Sequence, residues 1–317
     1  MAEINTNIEK AVDLLMHDEL VAIPTETVYG LAGNALSRQA VTKIFTVKNR
    51  PQFDPLIVHV PSLPKAEEYV TAIPPVARLL AGKFWPGPLT LVFKKKEIIP
   101  HLVTSGLDTV GIRCPDHPIT RQLLQKLPFP LAAPSANPFG YVSPTKPEHV
   151  NEQLGNKIQY ILDGGVCPVG IESTIVGFEN EEPVVYRLGG LSLENIEAAI
   201  GPVKVMAHST SNPKTPGQLK SHYAPTKKMV IGKIDTMLQK YSHQKTGILS
   251  FQHDFLATNQ IILSPSGNTE EAAQHLFEAL RSFDKMDVDI ILTELVPDTG
   301  LGRAINDRLK RASSEKI

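Results

Sequence analysis

Lys48 and Arg50 stand two residues apart where a short helical pattern ends, downstream of Thr25-Glu26-Thr27-Val28-Tyr29-Gly30, a row of hydroxyls with one carboxylate. Alone, two such cations could simply complement the negative end of a helix macrodipole, an effect of at most ~1 kcal/mol. Within reach of the Thr25/Thr27 turn they read as a site for an anion. Ser135 and Asn137 put a hydroxyl and an amide one residue apart after an apolar run, which is either a simple side-chain turn or a ligand-facing pair. Arg113 leaves another apolar run, where its planar guanidinium can hold a carboxylate bidentately or pair at the surface with Asp116. Arg187 ends a further run, with phosphate binding and stacking on an adenine both open. His59 alternates with Val58 and Val60 and is either a satisfied core residue or a pocket residue.

The elements that must position these groups are short. Residues 20–23 form a buried strand by length and β-branched content, and Pro24 ends it for want of an N–H. The C-terminal edge of a strand in an open α/β sheet is where ligands gather. Ser37 caps a helix with Ala40, Val41, Ile44 and Phe45 on one face, and Pro51 stops it. In the strand 56–60, alternation sends Leu56, Val58 and Val60 to one face and Ile57 and His59 to the other. Helices are expected over 64–71, 74–84 and 118–127, and strands over 89–93, 109–114, 131–133, 158–162, 173–178 and 184–188. Ser192 caps a helix to 199. The run Lys94-Lys95-Lys96 reads as a solvated strand end. This density of strands and helices predicts an α/β fold, a sheet covered by helices.

Pro24-to-Gly33 (PTETVYGLAG), Lys48-Asn49-Arg50-Pro51 and Pro55-Leu56-Ile57-Val58-His59 together resemble the threonylcarbamoyl-AMP synthase family, the YrdC-type enzymes of tRNA modification. Gly111-Ile112-Arg113, Ser135/Asn137 in LAAPSAN, Glu172-Ser173-Thr174-Ile175 and Tyr186-Arg187-Leu188-Gly189 follow in the same order. The likeness covers about residues 8–200. His222-Tyr223-Ala224-Pro225 and the closing GLGRAINDRLKRAS extend it to the two-domain branch. The resemblance implies a YrdC-like twisted sheet with covering helices, then a smaller Rossmann-like parallel α/β domain. It implies that Lys48 and Arg50 are catalytic, and that Thr25, Thr27, His59, Arg113, Ser135 and Ser173 bind L-threonine. ATP would meet Arg50, Asp54, Thr109, Asn137, Ser143, Thr145, Arg187 and His222. The implied substrates are L-threonine, bicarbonate and ATP, with Mg2+ carried by the nucleotide and no protein residue dedicated to metal. The product would pass to a tRNA threonylcarbamoyl transferase, with at most a weak contact to tRNA.

Composition sets the outer limits. The chain has 317 residues, 42% hydrophobic and 21% charged, and a net charge of −1, an ordinary globular composition with room for two domains. Near-neutral charge and 6% aromatic residues disfavour the alternative of an RNA-binding module on the same fold; a related carbamoyl-adenylate-forming enzyme with another amino acid is the second alternative. Cys114 and Cys167 are too few for a disulfide scaffold or a zinc site. Nucleotide-loop glycine signatures, H-E-x-x-H and G-x-S-x-G are missing. The N-terminus reads as an amphipathic helix through Ile8, Ala11, Val12 and Leu15 rather than a signal peptide, and no run is apolar enough to span a membrane, so a cytoplasmic location is expected. Domains are expected at 1–202 and 228–317. Residues 203–227, rich in Ser, Thr and Pro, form a linker, read as a passive tether or as an active-site lid. Strands separated by helices in the last segment predict a small doubly wound parallel sheet.

Overall fold

The computed structural model describes residues 1–206, 215 and 224–313. β1 (Glu3–Asn5) leads into α1 (Ile8–Met16), capped by the Asn7 side chain and buried at Ala11 and Leu15. β2 (Val21–Ile23) is buried throughout, and β3 (Gly30–Asn34) returns antiparallel to it. No strand is expected from GLAGN, because glycine weakens strand propensity. The small residues instead let a helix lie close: a Cβ on Gly33 would meet Leu20 at 2.9 Å and Ile44 at 3.3 Å. That helix, α2 (Arg38–Lys48), is capped by Ser37 and closes on Asn49 in the left-handed region at φ 56°, a conformation that asparagine tolerates.

β4 (Ile57–His59), α3 (Leu63–Ala66), α4 (Pro75–Phe84), β5 (Leu89–Lys94), β6 (Thr109–Arg113), α5 (Pro118–Lys126), β7 (Leu131–Ala132) and α6 (Pro147–Leu154) follow. Then come β8 (Tyr160–Leu162), β9 (Thr174–Glu179), β10 (Glu182–Arg187), α7 (Leu193–Ile200) and β11 (Lys204–Val205). All eleven strands join one mixed sheet in the order β1-β8-β2-β3-β7-β4-β6-β5-β9-β10-β11. β11 pairs parallel with β10, so the sheet runs past residue 202 into the segment expected as linker. Of the lysine run, Lys94 and Lys96 are exposed. Lys95 corrects the expectation of a solvated end: it is buried, its ammonium donating to the Ile99 carbonyl at 3.2 Å.

Helices α2, α4, α6 and α7 cover one face, sharing a core with Val58, Leu91, Ile112 and Val176. α1 and α5 cover the other face only beside β2, β3, β7 and β8. The remaining half of that face, floored by β4, β6, β5, β9 and β10, carries no helix among the described residues and presents Ile57, Ile175, Val184 and Tyr186. It is here that polar strand residues can meet a ligand.

The second domain comprises β12 (Lys228–Ile231), α8 (Ile234–Lys240), β13 (Thr246–Ser250), β14 (Gln260–Ile262), α9 (Thr269–Lys285), β15 (Ile290–Thr293) and α10 (Gly302–Ser313). Its four strands are parallel in the order β12-β15-β13-β14. α8 packs on one face and α9 with α10 on the other, the doubly wound arrangement expected. The core on the α9/α10 side includes Val28, Val142 and Ile171 of the first domain.

Candidate active site

Lys48 comes off the last turn of α2 and is 1% exposed. Its ammonium donates to the backbone carbonyls of Ser135 and Asn137, which ties the helix end to the Ser-x-Asn loop. Burial, then the charge of Arg50, pushes its pKa well below the ordinary lysine value, while Asp54 pulls the other way. Arg50 is harnessed by its own turn: Nε donates to the Asp54 carbonyl at 3.0 Å, and Nη2 donates to the Pro55 carbonyl at 2.8 Å and pairs with the Asp54 carboxylate at 2.9 Å. Its guanidinium also lies 5.8 Å from the centre of the Phe139 ring. Asp54 is fully buried, and burial raises its pKa against the opposing fields of Arg50, Lys48 and Arg187. Three cations therefore face one carboxylate in a site closed to bulk water, which favours further negative charge.

A second group forms by strand register. His59 pairs with Arg113 across β4 and β6, and Arg113 with Thr90 across β6 and β5, so all three share a row on the open face. Thr90 and Ser173 hydroxyls lie 2.8 Å apart. Arg187 closes the row, Nε donating to the Ser173 carbonyl and Nη2 to its hydroxyl, each at 3.0 Å. The register of β9 and β10 shifts between Val185 and Arg187, and such a bulge re-aims a side chain; it puts Arg187 opposite Ile175, on the open face. Since Arg187 also acts on Asp54, it joins the two groups.

Arg113 pairs with Glu26 at 2.7 Å, which corrects the surface pairing with Asp116; Asp116 lies 3.8 Å from Arg121. Glu26 also accepts the Asp116 N–H at 3.0 Å. The Arg113 Nε, the His59 Nδ1 and the Asn137 Oδ1 are buried without a hydrogen-bond partner. Buried polar atoms are usually satisfied, so an orphan beside Lys48 and two in the strand row mark seats for a ligand's own donors and acceptors. Thr25 is spent locally, its hydroxyl bonded to the Val28 carbonyl at 2.6 Å and lying 2.8 Å from that of Thr27. The Ser143 hydroxyl donates to Glu172 at 2.5 Å, and Thr145 faces His149. Thr109 lies at the other end of β6 from Arg113, beside a cleft of about 660 Å³ that Val92, Phe178 and Tyr186 also line. Ser135 is half-buried and bridges to Gly30. His222 lies outside the described residues. Sequence reasoning missed Thr90, whose only signal is a hydroxyl in an otherwise apolar strand, and the partner role of Glu26.

His59 is 3% exposed, and burial followed by the Arg113 charge pushes its pKa down to about 3. The folded state therefore keeps the ring neutral where the unfolded chain, with an ordinary pKa near 6.5, takes up a proton. Stability is unaffected above pH 6.5 and falls as pH drops toward 3. By pH 5 the expected loss from this group is about 2 kcal/mol. Denaturant titrations at pH 7.5 and 5 should show a stability difference that is smaller by this amount in His59→Gln than in the wild type, the part that remains including His149, whose pKa burial also lowers to about 4.

Among the described residues no group of three or more His, Cys, Asp and Glu side chains is placed to hold a metal ion, and no helix is long and apolar enough to cross a membrane. Cys114 and Cys167 are buried thiols. Residues 13–189 match the Sua5–YciO–YrdC family model, described as "Telomere recombination", and residues 191–314 match "Threonylcarbamoyl-AMP synthase, C-terminal domain". The threonylcarbamoyl-AMP synthase of Pyrococcus abyssi is 41% identical over 98% of this chain and 95% of its own, and that of Bacillus subtilis 40% over 99% and 96%. The crystal structure of P. abyssi Sua5 complexed with L-threonine superposes with a TM-score of 0.93 at 39% identity, covering 98% of this chain and 97% of that one.

Proposed function

The chain belongs to the threonylcarbamoyl-AMP synthase family, and on that premise we propose that it joins L-threonine, bicarbonate-derived carbon dioxide and ATP into threonylcarbamoyl-AMP and pyrophosphate, for tRNA threonylcarbamoyladenosine modification. The threonine amine takes up carbon dioxide to give a carbamate and a proton. A carbamate oxygen then attacks the α-phosphorus of ATP, and pyrophosphate leaves. The carbamate and the triphosphate are both anionic, so the task of the protein is to concentrate positive charge and hold the partners in line. The observation that carries this reading is the Lys48 ammonium bonded to the Ser135 and Asn137 carbonyls, beside an Arg187 that reaches Ser173.

Arg113, His59 and Ser173 would seat threonine, the guanidinium taking its carboxylate; Thr27 and Ser135 complete that pocket. Arg50 and Lys48 would meet the carbamate and α-phosphate. Asn137 and Arg187 would hold the nucleotide, with Thr109 and its cleft at one end and Ser143 and Thr145 behind. Asp54 serves as the anchor of Arg50. Mg2+ would arrive on phosphate oxygens and water, since among the described residues no carboxylate cluster is built for it. The segment 203–227, expected as a lid between domains at 1–202 and 228–317, begins with β11 of the first sheet, and its residues 207–214 and 216–223 lie outside the described residues. The lid reading rests on Met206 and Thr215, beyond that strand. Met206 packs on the open-face cluster and Thr215 is 2% exposed beside Ile57, Thr90 and Ile175, where a cover would slow hydrolysis of the mixed anhydride. The product would be handed to a tRNA threonylcarbamoyl transferase in the cytoplasm.

Pyrophosphate release by the full chain should need L-threonine, bicarbonate and ATP together, and omission of any one should reduce it to background. Equal release with another amino acid would replace threonine in this reading, and release with ATP alone would remove it.

A further inference from the structure

Three loops that carry the site are backed by the second domain. Val28 from the Thr25/Thr27 turn, Val142 from the Ser-x-Asn loop and Ile171 from the approach to Ser173 all enter the core built on α9 and α10. Contact is close enough to exclude a side chain: Gly170, at φ 78°, would place a Cβ 2.4 Å from the Gln274 Cα. Arg281 of α9 is 4% exposed and donates to the carbonyls of Val142 and Ser143.

The strongest link is ionic. Arg308 of α10 is completely buried, and its Nε donates to the Glu172 Oε2 at 3.1 Å. Asp307 orients it, accepting from its Nη1 at 2.9 Å. The other Glu172 oxygen accepts the Ser143 hydroxyl at 2.5 Å, and Ser173 is the next residue in the chain. One carboxylate, 6% exposed, thus fixes two loops of the first domain, and a cation from the second domain neutralises it. A buried carboxylate stripped of its partner is unstable as an anion and must protonate or move. Movement would release the Ser143 hydroxyl, and protonation would leave it a weaker, neutral acceptor; both would loosen the turn into Ser173.

We propose that Arg308 is a positioning residue of the active site: acting through Glu172, it sets Ser143 and Ser173 in place, so that the second domain forms the rear wall of the catalytic pocket. The inference rests on the reading of Ser143 and Ser173 as substrate-facing residues. Small displacements of such groups cost disproportionately, because the geometry that binds substrate tolerates only about 0.5 Å.

The test uses the full chain, with threonine-dependent pyrophosphate release as the readout. Arg308→Ala should raise the KM for L-threonine or ATP about tenfold, equal to about 1.4 kcal/mol of binding, with kcat changed far less. Arg308→Lys, which keeps the charge on a single donor, should recover part of the loss. Wild-type KM in a folded Arg308→Ala, or a lowered melting temperature with unchanged kinetics, overturns the proposal. Should Arg308→Ala fail to fold, Glu172→Gln decides: it retains an acceptor for Ser143 but loses the charge pair, so a raised KM supports the proposal and an unchanged KM overturns it. If the wild type itself shows no threonine-dependent release, it is the proposed function that fails, and the two failures are separable.

Discussion

Replacing Lys48 with methionine should lower kcat/KM for pyrophosphate release by about 10²–10³-fold while the protein stays folded. Removing one preorganised donor from a water-excluded site costs this much when the lost group meets charge that develops in the transition state. Lys48 is 1% exposed and spans two backbone carbonyls of the Ser-x-Asn loop, so it supplies both field and loop geometry. Methionine fills nearly the same volume without a charge to desolvate, and that gain offsets much of the cost of two carbonyls left unbonded. The melting temperature should therefore move little while activity collapses. Lys48→Arg should not rescue, because a planar fork cannot satisfy two converging carbonyls in the space of an ammonium. A methionine variant with wild-type kcat/KM would take Lys48 out of the mechanism.

The second large effect concerns Arg113. Arg113→Met should weaken L-threonine binding by about 10²-fold, within the range for losing one partner of a buried charge pair. It should also destabilise the protein by about 3–5 kcal/mol, because Glu26 loses its partner inside the molecule. These losses have different origins and can be separated. Glu26→Gln combined with Arg113→Met removes the stranded charge, so the double variant should regain melting temperature without regaining threonine affinity. Calorimetric titration with L-threonine reads the affinity directly. Wild-type binding by the double variant would assign the threonine carboxylate to another group.

Arg113 also marks where sequence reading runs out. Its placement at the end of a strand was legible from the β-branched run before it. Its partner was not: Asp116 lies three residues away, yet the ion pair forms with Glu26, eighty-seven positions upstream. The glycine-rich β3 shows the same limit, since its pairing depends on α2 pressing against Gly33. Local propensity has no access to such contacts. The cations of α2 and the alternation that turns His59 away from Val58 and Val60 were legible, because caps and strand periodicity act over a few residues.

By itself the chain of amino acids determined which groups exist and which kind of element ends at each: Lys48 on the last turn of a helix, His59 and Arg113 on strands, Ser135 and Asn137 just beyond one. Only the tertiary structure decided which of them meet. Register aligned His59, Arg113 and Thr90 in one row, and a bulge brought Arg187 onto their face. The second domain's Arg308 reached the Glu172 carboxylate. Periodicity is a property of neighbouring residues, whereas register, bulges and the pairing of buried charges follow from how distant segments close over one core.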